Sequence, residues 1–127
     1  MDHQSDPLER VTVYRLALET MREGRGDAAE FGKDPMLRQV GGQLVRATAS
    51  IAANVAEGYS RGTTADRRKF LEYALGSARE CVVWYEASDC AQKDARIERL
   101  TSIRRLLLTM IRTARASTTA DRKRFNR

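Results

Sequence analysis

The 127-residue chain carries a net charge of +6, with 42% hydrophobic and 31% charged residues, the composition of one soluble globular domain. No apolar run approaches the roughly 18 residues that a membrane-spanning helix needs, which excludes a membrane protein. The N-terminus is polar and acidic where a signal peptide is basic and then apolar, so we expect a cytoplasmic protein.

The basic charge is concentrated near the C-terminus. Residues 1–95 hold 13 basic and 15 acidic side chains, whereas residues 96–127 hold 10 basic and 2 acidic ones. Such a cluster is typical of a surface that contacts polyanions, although a run of charge is as often just the solvated face of a helix.

The N-terminal part predicts a loose arm followed by a first helix. Residues 1–7 form the arm, and Asp6-Pro7 is a signal for the start of a helix. Apolar residues at helical spacing follow until Gly24-Arg25-Gly26, where we expect the helix to stop. A polar loop is predicted over residues 24–35.

Three more helices follow, joined by short connections. Asp34-Pro35 starts the second, over roughly residues 36–60. Its Gly41-Gly42 pair indicates either a close crossing of a neighbouring backbone or a tolerated defect. The third helix begins after Thr63, which has capping-box spacing to Asp66, and ends near Gln92.

The fourth helix starts at the capping residue Asp94 and carries an apolar face to about residue 116. We therefore predict an all-α, antiparallel up-and-down four-helix bundle over residues 8–116. Residues 118–125 repeat the pattern of residues 63–70 without an apolar run behind it, so residues 117–127 are predicted to form a frayed basic tail.

A polar stripe accompanies the apolar line of the second helix. Folding helices two and three as a hairpin makes facing residue numbers sum to about 125, which sets Arg46 opposite Glu80 as a candidate ion pair and Ser50 near Tyr73 and Ser77. Inward polar groups of bundles are usually satisfied structural groups. The predicted structural polar network consists of Arg46, Ser50, Asn54, Glu57, Tyr73, Ser77 and Glu80.

A catalytic or metal-binding reading of this stripe is disfavoured. Di-metal bundles need Glu-x-x-His pairs, and the only histidine is His3 in the arm. Cys81 and Cys90 are expected on opposite sides of the third helix, where they cannot bridge. The sequence shows no Ser-His-Asp set, P-loop or Cys-His cluster, so we predict no enzyme, no metal and no cofactor.

Several segments together resemble a known family. They are Val13 to Leu18, Gln43-Leu44-Val45-Arg46-Ala47, Ser50-Ile51-Ala52-Ala53-Asn54-Val55-Ala56-Glu57-Gly58, Phe70-Leu71, Ala74-Leu75-Gly76-Ser77 and Glu80. This pattern resembles the bacterial four-helix-bundle proteins first noticed in intervening sequences of large-subunit ribosomal RNA genes. Ala52 departs from a frequent Pro, and Val45 departs from a common second basic residue.

That family is similar, more remotely, to the accessory proteins of diversity-generating retroelements, which are basic pentameric barrels that bind nucleic acid and a reverse transcriptase. The resemblance implies a homo-oligomer of five subunits and nucleic-acid binding.

Two functional classes remain. In the first, the protein binds the backbone of RNA or DNA, because Arg104, Arg112 and Arg115 fall within about 80 degrees on a helix and few aromatic residues accompany them. In the second, it is an oligomeric scaffold or adaptor for another protein, and its charge serves solubility. The candidate nucleic-acid-binding residues are Arg104, Arg105, Arg112, Arg115, Arg122, Lys123, Arg124 and Arg127.

Overall fold

The structure is a computed structural model that describes the backbone of residues 6–125 and the side chains of residues 6–117. The four α-helices are α1 (Thr12–Phe31), α2 (Arg38–Ser60), α3 (Thr64–Glu86) and α4 (Lys93–Phe125). Short 3₁₀ turns, Pro7–Arg10 and Pro35–Leu37, precede α1 and α2, and each is capped by the aspartate before its proline.

Each helix packs against the next one in the chain, and α4 also contacts α1, which closes the bundle. The apolar line predicted for α2 lies in the core, where Leu44, Ile51 and Val55 are at most 2% exposed. Burying these side chains contributes about 1.5 to 3 kcal/mol each. The predicted all-α antiparallel four-helix bundle is confirmed.

The predicted loop over residues 24–35 is wrong, because α1 continues through both glycines to Phe31. A Cβ atom on Gly24 would lie 3.0 Å from the Thr48 side chain, and one on Gly41 would lie 2.9 Å from the Ala28 carbonyl oxygen. The glycines therefore allow α1 and α2 to approach closely, and this packing overrides their low helix propensity. The predicted close crossing is confirmed at Gly41.

The third helix ends earlier than predicted. Its cap is as expected, since the Thr63 hydroxyl accepts the Asp66 N–H at 3.2 Å. At the other end, the Ser88 hydroxyl donates to the Tyr85 carbonyl at 2.8 Å, and such side-chain bonding competes with continued helix. Cys90 consequently lies in the α3–α4 connection, whereas Cys81 is buried in α3, and both thiols are free.

The fourth helix is the longest. With 33 residues it extends about 50 Å, and Ser117 lies level with Thr64 at the start of α3. Its backbone stays helical to Phe125, past the predicted end of the bundle at residue 116. The separate tail over residues 117–127 stays a prediction, because the side chains after Ser117 lie outside the described part of the chain.

Candidate functional site

The central residues of the predicted polar network, Ser50, Asn54 and Ser77, are hydrogen-bonded to one another. The hydroxyls of Ser50 and Ser77 are 2.8 Å apart across α2 and α3, as the hairpin arithmetic predicts. The Asn54 amide donates to both the carbonyl and the hydroxyl of Ser50, at 2.9 and 3.0 Å. This half-buried cluster therefore fixes the register of the two helices.

The outer members form no hydrogen bond with this centre, although Tyr73 and Glu80 line the same cavity as Ser50, Asn54 and Ser77. Arg46 and Glu80 are exposed and form no ion pair with each other, so the predicted pair is wrong. Tyr73 is 52% exposed and packs edge-on against Phe70. Glu57 pairs with Arg61, the residue that follows the end of α2. All four side chains are exposed among the described residues, so they reach solvent.

The exposure of Glu57 sets the expected effect of removing it. Its side chain is 47% exposed and that of Arg61 is 43% exposed, and such helical ion pairs contribute only about 0.3 to 0.5 kcal/mol. We expect Glu57→Ala to lower the free energy of unfolding by no more than this, measured by urea denaturation. A loss of 1 kcal/mol or more, as for a buried partner, would contradict the exposed position.

A second polar cluster, which sequence reasoning missed, lies inside the bundle. Asp27 of α1 is 5% exposed and accepts a hydrogen bond of 2.5 Å from the Tyr85 hydroxyl. The guanidinium of Arg96 donates to the two oxygens of the same carboxylate at 2.8 and 3.3 Å. These three residues join α1, α3 and α4 and are called the Asp27 cluster below.

Carboxylates of α1 extend this cluster towards the surface. Arg96 also pairs with Glu23 at 2.9 Å, and Arg99 lies 2.7 Å from Glu23 and 3.8 Å from Glu19. Burial, then the bond to Asp27, raises the pKa of Tyr85, while the bond donated to Asp27 raises the pKa of Arg96. The phenol stays neutral and the guanidinium charged, which suits a structural ion cluster.

The two cysteines lie in surroundings that disfavour the thiolate. Burial, then the nearby charge of Glu80, raises the pKa of Cys81 to about 12, and burial also raises the pKa of Cys90. Thiols in such surroundings are poor nucleophiles, because the reactive form is the thiolate. Over residues 6–117, no group of three or more His, Cys, Asp and Glu side chains could hold a metal ion.

The arginines of α4 predicted to contact nucleic acid differ in their exposure and in their partners. Arg105 and Arg112 are exposed and form no ion pair with any described side chain. Arg104 is half-buried in a groove between α3 and α4, where Arg79 lies beside it. Arg115 lies over the same groove and donates to Glu72 at 3.0 Å.

The sequence model described as the 23S rRNA-intervening sequence protein family matches residues 9–112, which is most of the chain. The chain belongs to this family. Among solved structures, a protein of unknown function from the S23 ribosomal protein family of Bacteroides thetaiotaomicron is 24% identical to it. The match covers 78% of this chain and 97% of that one, with a TM-score of 0.72, and supports the fold. No curated protein matches.

The structure describes the side chains of half of the candidate nucleic-acid-binding residues in this member of the 23S rRNA-intervening sequence protein family. Arg104, Arg105, Arg112 and Arg115 have the positions given above, whereas Arg122, Lys123, Arg124 and Arg127 lie beyond the described side chains. Within the described part of the chain, every helix is too short or too polar to cross a membrane.

Proposed function

We propose that this protein is a non-enzymatic, oligomeric bundle of the cytoplasm that binds the phosphate backbone of RNA or DNA through α4. The observation that supports it best is the exposure of Arg105 and Arg112 without carboxylate partners among the described residues. Surface cations without such partners are available to replace the counterions of a polynucleotide, which is the main source of its affinity for proteins.

The surroundings of these arginines favour the backbone over the bases. The described side chains of α4, over residues 93–117, include no aromatic residue on which a base could stack. Contacts to phosphates position a protein without reading sequence. We therefore expect binding with little sequence preference and a strong dependence on salt.

A scaffold function has its own support in the α2–α3 side of the bundle. Tyr73 of α3 is 52% exposed, and Val45 of α2 is 37% exposed. Aromatic side chains such as that of Tyr73 are enriched where proteins associate. We propose this side for contacts between subunits, five by the family resemblance, and a partner protein on it is the alternative function.

A salt series tests the nucleic-acid proposal. We expect the double variant Arg105→Gln, Arg112→Gln to reduce the slope of log affinity against log salt by roughly 0.7 to 0.9 per lost contact. Removing residues 117–127 should reduce it by roughly 2 to 3 per engaged subunit, if each tail contacts about three phosphates. The measurement is fluorescence anisotropy with a labelled 20-nucleotide RNA, with molar mass from light scattering as a check on assembly.

The matched control is Arg22→Gln, Arg38→Gln, which removes the same charge from exposed positions of α1 and α2. It should leave the slope unchanged. If the parent protein shows no salt-dependent binding and carries no absorbance near 260 nm after a low-salt preparation, the nucleic-acid proposal fails and the scaffold function replaces it.

A further inference from the structure

Two pairs of arginines face each other across the groove between α3 and α4. Arg68 of α3 is opposite Arg115 of α4, since both lie beside Glu72, at 3.9 and 3.0 Å. Arg79 and Arg104 line one cavity of about 110 Å³ further along. The partners within each helix are eleven residues apart in the sequence, or about 16 Å at the helical rise, so the two pairs share one register.

The first pair already holds an anion. The carboxylate of Glu72 lies between Arg68 and Arg115, and it offsets the repulsion of two cations at close range. Glu72 is one helical turn after Arg68, which is the spacing that lets the two side chains meet. The protein therefore shows, with its own side chain, that this groove accommodates an anion between a pair of arginines.

The second pair lacks such an anion. The residue one turn after Arg79, at the position equivalent to Glu72, is Val83, which is 56% exposed. Neither Arg79 nor Arg104 forms a side-chain hydrogen bond or an ion pair with the described residues. The remaining wall of the cavity consists of Ala78, Val82, Leu100 and Thr101, so no acidic side chain lines it.

We propose that this cavity binds one phosphate group of a polynucleotide, clamped between Arg79 and Arg104. The inference rests on the proposed function and adds Arg79 to the binding surface. The guanidinium fork matches the oxygens of a phosphate, and two forks from opposite walls hold it from both sides. With a volume of about 110 Å³, the cavity has room for a phosphate group.

The proposal is tested by removing the clamp and by filling it. Arg79→Gln removes one of the two guanidinium groups. Val83→Glu places a carboxylate four residues after Arg79, at the position equivalent to that of Glu72 in the first pair. Both variants should bind labelled 20-nucleotide RNA about tenfold more weakly at low salt, with a slope reduced by roughly 0.7 to 0.9. The controls make the same charge changes at exposed sites elsewhere, namely Arg22→Gln and Met36→Glu, and should keep the parent's slope.

A second measurement separates the cavity from the proposed function. Inorganic pyrophosphate, compared with sodium chloride at equal ionic strength, should raise the Tm of the parent and the controls but not of Arg79→Gln or Val83→Glu. If this pattern appears without RNA binding, the phosphate site stands and the proposed function fails. If RNA binds and both test variants behave like their controls, the function stands and the phosphate site is refuted.

Discussion

The variant Asp27→Ala is expected to lose roughly 3 to 5 kcal/mol of unfolding free energy, because it removes one partner of a buried ion pair. Asp27 is 5% exposed and is bonded to the Tyr85 hydroxyl and to Arg96. Without the carboxylate, the fully buried Tyr85 hydroxyl loses its hydrogen-bond partner, and Arg96 keeps Glu23 as its ion-pair partner. Since domains of this kind are stable by about 5 to 15 kcal/mol, the loss would be a large part of the total.

A residue at the edge of the same group of charges provides the control. Glu19 lies 3.8 Å from Arg99 and is 53% exposed, so Glu19→Ala should cost less than about 1 kcal/mol. Both variants lose one carboxylate of α1, and urea denaturation at neutral pH gives both free energies. Equal losses for the two variants would show that the Asp27 cluster adds no stability beyond that of a surface pair.

The Asp27 cluster marks what the sequence could not predict. Apolar spacing is a local signal, and it identified the core line of α2 because each residue lies one or two turns from the next. Asp27 instead meets Tyr85 and Arg96 at separations of 58 and 69 residues. No periodic pattern connects such positions, and the glycines beside Asp27 predicted a loop where tertiary packing maintains a helix.

The arginines of α4 show the same division between local and distant information. The helical period groups Arg104, Arg112 and Arg115 within about 80 degrees. Two of them, Arg104 and Arg115, lie along the α3–α4 groove. Whether each arginine has an acidic partner depends on α3. This helix brings Glu72 to Arg115, and it brings Arg79 to Arg104. Arg79 was missed because it belongs to the part of the chain whose charges nearly balance.

The adjacent glycines of α2 should respond to the same substitution in opposite directions. A Cβ atom on Gly42 meets nothing within 4 Å, so Gly42→Ala should stabilise the protein by about 0.4 to 1 kcal/mol through the restricted unfolded chain and better helix propensity. A Cβ atom on Gly41 would lie 2.9 Å from the backbone oxygen of Ala28, which cannot give way as a flexible side chain does.

Gly41→Ala gains the same stability from helix propensity and from the restricted unfolded chain. The difference in unfolding free energy between the two variants therefore gives the steric cost of separating α1 from α2. We expect this difference to be roughly 1 to 3 kcal/mol, the usual cost of overpacking, with Gly41→Ala the less stable. Thermal and urea unfolding of the two variants and the parent provide the values. If Gly41→Ala is as stable as Gly42→Ala, α1 and α2 do not cross closely at Ala28, and the packing that extends α1 to Phe31 must lie elsewhere.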